Sequence, residues 1–292
     1  MTVGSLLRDG FGLIRAQPGA IAIWTLLYLA AGLIGLALML PAMSAMAASP
    51  LPNPAGAQSI TGWMLLFDLV LLVVITVIFA AVFRAVFWPE QRSFAYLRLG
   101  RDEFLLIVLM ILLSIAAFVA TLVATLIGAL LVGVIAAAGS TGAATALGVV
   151  LAVVLGCVAI WLEVRLSLAF PLTVLRNRIT IGEAWRLTQG RFWRLFGAYL
   201  VSAVIVVVLS TIVLWPMMAV YFGDMMQAGG DPQAMNAVMQ AQMARLMHPG
   251  IGMIIAWLLG GLIYTVGLTL IGGIQASAAA RLVAETAPEP DA

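Results

Sequence analysis

Residues 104–138 read FLLIVLMILLSIAAFVATLVATLIGALLVGVIAAA, thirty-five positions without a charge. An α-helix rising about 1.5 Å per residue crosses about 30 Å of hydrocarbon in about 20 residues. This stretch alone can therefore span a bilayer with residues to spare. Working outward, five more apolar runs of sufficient length occupy residues 20–40, 60–88, 144–175, 196–221 and 251–280. The sequence thus predicts an all-α membrane protein of about six transmembrane helices. Composition agrees: 64% of the 292 residues are hydrophobic and 9% charged, with mean hydropathy +1.16, whereas a soluble domain carries about 25% charge. A chain this size lacks the polar surface to coat a water-facing core. The third and fourth runs exceed the bilayer's need, so they are expected to tilt, project or be interrupted.

Charge sets the orientation. All 14 basic residues are arginine. Thirteen fall at the N-terminal lead, in the second and fourth connections and near the end of the sixth run, and only Arg245 falls on the other side. The positive-inside rule then places both termini in the cytoplasm of a multi-pass protein of the bacterial inner membrane. Splitting the long third run into two spans would send the arginines at 176–194 outside, so parity favours six. Residues 1–283 are expected to form one membrane domain and 284–292 a short cytoplasmic tail. A signal peptide cleaved after Ala47 fits less well, because the first apolar run is too long and its lead-in is amphipathic. Residues 41–54, with four prolines and no charge, read as an external loop.

A weak threefold repetition is visible. Segments mixing arginine with apolar and aromatic residues precede the first, third and fifth spans, at 6–15, 93–101 and 181–194. The pattern suggests three units, each an in-plane amphipathic helix plus a transmembrane hairpin. At the third, Thr180 and Glu183 have capping-box spacing, a helix should start at Ile181, and Gly190 can close it. Trp185, Phe192, Trp193 and Phe196 supply aromatic anchors of headgroup depth.

The run Arg165-Leu-Ser-Leu-Ala-Phe-Pro171, followed by IGEAWRLTQGRFWRLFG at 181–197, resembles the bacterial glycerophosphoryl diester phosphodiesterase membrane domain family of polytopic membrane proteins. That pattern pairs an Arg and a Pro late in one span with an in-plane helix and an aromatic Gly-x-Phe-Trp approach to the next. The specific match covers about a tenth of the chain, and the six-span layout extends it over most of the rest. Some relatives carry a fused catalytic barrel. The resemblance here implies the membrane part without one, since the chain ends at Ala292 and its single His248 cannot supply the histidines and metal site of such a barrel.

Charges inside a membrane are costly and draw a functional hypothesis. Asp68, Arg84, Glu163 and Arg165 qualify. Pairing among Asp68, Arg84 and Glu163 across helices is one reading, mainly as a structural clamp; a proton or ion relay from Asp68 to Glu163 is the other. Arg165, Arg176, Arg178, Arg186 and Arg191 form a candidate site for lipid phosphate at the cytoplasmic edge, although positive-inside anchoring alone also requires arginines there. In the sixth span, Gly260, Gly267, Gly272, Ala276 and Ala280 allow close helix packing, within the chain or in a homo-oligomer. Pro171 and Pro216 should kink or end their helices.

Asp231-Pro232 should start a short helix that Pro249-Gly250 stops. On it, Met235, Met239, Met243 and Met247 make a stripe that either packs against apolar surface or ligates copper(I). One cysteine, Cys157, and one histidine exclude internal disulfides and multi-histidine zinc sites. No cofactor is expected, and no nucleic-acid partner at a formal charge of +2. The expected function is non-catalytic, binding or organising anionic lipid or a partner protein at the cytoplasmic face. Transport of a small solute or lipid is the alternative, and a membrane hydrolase ranks last for want of a paired nucleophile and base.

Overall fold

In hydrocarbon no water satisfies backbone polar groups, and a helix bonds its own. The structure, a computed structural model, describes residues 2–47, 54–91 and 93–286. Among these the regular elements are helical: α1 (Val3–Ala16), α2 (Pro18–Ala47), α3 (Pro54–Phe87), α4 (Arg101–Ala137), α5 (Thr141–Leu166), α6 (Ala169–Arg176), α7 (Ile181–Leu187), α8 (Phe192–Ala228), α9 (Pro232–Met247) and α10 (Ile251–Thr286). Six segments are long and apolar enough to cross a membrane: Pro18–Pro41, Gly62–Phe87, Ser93–Ala137, Thr141–Arg176, Phe192–Pro216 and Ile251–Thr286. The protein is a six-span all-helical membrane protein.

Several boundaries differ from the sequence reading. The loop expected at 41–54 shrinks, because α2 continues through Pro41 to Ala47 and α3 already begins at Pro54; residues 48–53 lie outside the described residues. Of the two over-long runs, the third is one unbroken helix, and the fourth breaks at Ser167-Leu168 into α5 and α6. Pro171 sits in the first turn of α6, where a missing N–H costs little. Pro216 does not end its helix: α8 runs on to Ala228. Helix α10 reaches Thr286 and so takes in the first residues of the expected tail; 287–292 lie outside the described residues.

The chain divides into two compact units, one of Leu7–Arg98 and Tyr199–Ile274, the other of Met1–Leu6, Leu99–Ala198 and Gln275–Ala292. The first has a core of Ile21, Trp24, Ile78, Val82, Tyr96 and Leu268. Small residues bring its helices close. A Cβ on Gly272 would stand 2.8 Å from Val82, and one on Gly267 3.0 Å from Val206. The small residues of the sixth span up to Ile274 thus pack within the chain. Thr25 and Thr265 share a 2.6 Å hydrogen bond, and the Tyr28 and Tyr264 rings stack at 4.4 Å.

The segment expected to form the second in-plane helix does not. Residues Ser93–Tyr96 make a single tight turn in which Phe94, Ala95 and Tyr96 take φ of 44°, 55° and 61°. That left-handed backbone costs about 1–2 kcal/mol per residue, and surrounding bonds hold it. Trp24 Nε1 donates to the Ala95 carbonyl at 2.9 Å, Arg84 to the Tyr96 carbonyl at 3.2 Å, and the Tyr96 hydroxyl to the Pro89 carbonyl at 3.0 Å. The helix-plus-hairpin repetition therefore holds in the first pattern, α1 with α2 and α3, and loses its short helix in the second.

In the other unit, α4 and α5 form a long hairpin turned at Gly139, whose φ of 85° favours a residue without Cβ. Short helices α6 and α7 pack on its lower end, burying Val164, Leu168, Leu172, Ala184 and Leu187.

Candidate functional site

Local chemistry explains the chain path that gathers the arginines. Helix α5 ends at Leu166, and the Ser167 hydroxyl donates to the Val164 carbonyl at 2.8 Å. Helix α6 closes at Asn177, whose φ of 52° suits one of the few side chains that tolerate left-handed backbone. Helix α7 starts at Ile181 as the sequence implied, but the capping box does not form. Thr180 Oγ1 is buried with no hydrogen-bond partner, and Glu183 turns instead to Arg176 at 3.0 Å. A charged partner for the carboxylate outcompetes a neutral backbone amide. Gly190, at φ 74°, then redirects the chain into α8.

Arg165 is held from both sides. Its guanidinium carbon lies 4.5 Å from the Trp185 ring centroid and 5.4 Å from that of Trp161, and one amino group donates to the Trp185 carbonyl at 3.4 Å. The two indoles meet edge to face at 5.3 Å. In return, the Thr188 hydroxyl lies 3.2 Å from the Arg165 carbonyl as well as near those of Ala184 and Trp185. Arg165 is half-buried and clamps α7 to the end of α5. The lipid site drawn from the sequence gave it direct contact with phosphate; here its guanidinium stacks on two indoles and spends one donor on the Trp185 carbonyl, while its buried Nε has no hydrogen-bond partner.

The remaining arginines divide by whether a carboxylate meets them. Arg176 pairs with Glu183, and Arg191 pairs with Glu285 at 2.7 Å while also donating to the Leu187 carbonyl. Arg178, Arg186 and Arg194 are exposed and make no side-chain hydrogen bond or ion pair among the described residues. Beside them Trp193 is 77% exposed, within an aromatic cluster in which Phe192 stacks on Phe196 at 5.6 Å. This patch can offer three uncommitted guanidinium forks and an amphipathic ring at one end of its unit. Sequence reasoning missed Arg194 as a ligand group, Glu285 as the counter-charge of Arg191, and Trp161, although Trp161 stands one helical turn before Arg165.

Set against protein-family models, curated proteins and solved structures, the chain matches none.

The intramembrane charges form no triad. Asp68 and Arg84 lie on one helix, about 24 Å apart along its axis, so they cannot pair with each other. Arg84 is buried and bonds the strained turn at Tyr96, while Asp68 and Glu163 are exposed and have no ion pair among the described residues. No cluster of three His, Cys, Asp or Glu that could hold a metal occurs among the described residues. Asp231 caps α9 through the Gln233 and Ala234 amides, as its position predicts. On that helix Met239 and Met247 are about half-exposed, and the side chain of Met243 lies outside the described residues.

Proposed function

We propose that this multi-pass membrane protein is non-catalytic and binds phosphate-bearing anionic lipid through Arg178, Arg186 and Arg194. One observation carries the reading: these three guanidinium groups stay exposed and without a counter-charge among the described residues, next to exposed Trp193, while Arg176 and Arg191 are neutralised beside them. Guanidinium binds phosphate through forked hydrogen bonds, and tryptophan favours the headgroup layer. Arg165 serves as a positioning residue that holds α7, and with it Arg186, in place. The same patch suits a phosphate-bearing or acidic partner at the membrane surface. Membership in the glycerophosphoryl diester phosphodiesterase membrane domain family, without a catalytic role, fits this reading.

The orientation proposed with it puts the patch in the cytoplasm of a bacterial inner membrane, with both termini on that side. Reporter fusions after Arg178 should then read cytoplasmic and after Gly230 external; the reverse would remove the patch from the anionic leaflet. For binding, native mass spectrometry of the full chain should show retained phosphatidylglycerol. Replacing Arg178, Arg186 and Arg194 together by glutamine should remove most of it, and Arg8→Gln with Arg15→Gln should not. Equal losses in both variants would reduce the patch to general anchoring.

A further inference from the structure

A cavity of about 580 Å³ opens in the other unit, among α8, α9 and α10. Its lower walls are apolar: Ile212 and Pro216 from α8, Ala256 and Leu259 from α10. Its mouth is polar, with Gln242, Arg245 and His248 at the end of α9. Size and lining match a site that buries an apolar group and reads a polar end with few contacts. From Gly252 to Leu259 the trough runs about 10 Å along α10, beginning at the second residue of the apolar span Ile251–Thr286, a length about a third of a hydrocarbon core about 30 Å thick. It lies where two apolar spans meet a polar cap, the depth at which an acyl chain joins its headgroup.

The cation at the mouth has a carboxylate beside it, just outside the cavity lining. Arg245 pairs with Asp224 at 3.1 Å, one donor spent of five, and both side chains are partly exposed. A purely anionic headgroup would meet the Asp224 carboxylate as well as the Arg245 cation. A zwitterion satisfies both. We infer that this trough binds a zwitterionic aminophospholipid, with an acyl chain along Ile212, Ala256 and Leu259, its phosphate on Arg245 and its ammonium on Asp224. The site is separate from the arginine patch, is built on another unit, and selects a different headgroup because its cation already has a carboxylate partner.

The full chain is incubated in detergent with phosphatidylethanolamine, and separately with diacylglycerol of the same chains, and bound lipid is counted by native mass spectrometry. Wild type should retain phosphatidylethanolamine in clear excess over diacylglycerol. A Cβ on Gly252 meets nothing within 4 Å, so Gly252→Leu can fill the trough without a backbone clash and should lower retention about tenfold. Ala256→Phe fills it from a lower turn and gives an independent reading, each variant being accepted at wild-type helicity by circular dichroism. Asp224→Asn should cut phosphatidylethanolamine retention while leaving that of diacylglycerol unchanged. Wild-type retention in both filled variants would overturn the trough as the site. Equal retention of the two lipids by wild type, or no effect of Asp224→Asn, would overturn the headgroup assignment.

Discussion

Helices α3 and α4 have the same mean hydropathy, 3.0 in their most apolar windows, yet 33% of the α3 window is buried in the protein and only 11% of the α4 window. For α5 the share falls to 6%. In water such a hairpin would collapse or aggregate; in lipid its apolar surface is already solvated, so burial brings no hydrophobic gain. What draws α2 and α3 into a core is specific contact. Trp24 donates to Ala95, Thr25 meets Thr265, and Gly272 admits Val82 and Phe79. Along the hairpin the close approaches are looser, with Leu151 3.5 Å from a Cβ placed on Gly128 and Val132 3.9 Å from one on Gly148.

The widest contrast should come from glycine. Gly272→Leu pushes a side chain into Val82 at 2.8 Å, an overpacking worth about 1–3 kcal/mol. Gly133→Leu on α4 meets nothing within 4 Å and should stay within about 0.5 kcal/mol of wild type, as exposed substitutions do. Unfolding in mixed sodium dodecyl sulfate micelles reads both. Matching losses would mean that the hairpin is as tightly packed as the core, and the comparison would fail.

A smaller effect is expected where the hairpin is gripped. Arg165→Lys keeps the charge but loses planar stacking on Trp185 and the forked donor, about 0.5–2 kcal/mol. Amide hydrogen exchange at residues 181–188 should accelerate while the body of α4 is unaffected. Unchanged exchange on α7 would show that Thr188 and buried Leu187 hold the helix without Arg165.

Much of the fold was legible because length and hydropathy decide which helices can span. Packing was not, since α3 and α4 look alike to hydropathy. The left-handed turn at Phe94–Tyr96 was hidden for another reason: its cost is met by Trp24 and Arg84, distant in sequence. At the candidate site, the arginine cluster could be read directly, but not which members were free. Arg191 is neutralised by Glu285, ninety-four positions away, and Glu183 left its expected cap for Arg176. Trp161 is the one partner that spacing could have revealed, at four residues before Arg165.

The central claim is that within the arginine patch the uncommitted guanidinium groups, not the carboxylate-paired ones, meet the phosphate of anionic lipid. It is tested most directly by solid-state NMR of full-length protein labelled with ¹³Cζ-arginine in phosphatidylglycerol bilayers, recording dephasing of the guanidinium carbons by lipid ³¹P. All basic residues being arginine, every candidate is observed at once. The account predicts a dephased fraction that falls when Arg178, Arg186 and Arg194 become glutamine and persists when Arg176 and Arg191 do. Dephasing unchanged in the first variant, or lost in the second, would contradict it.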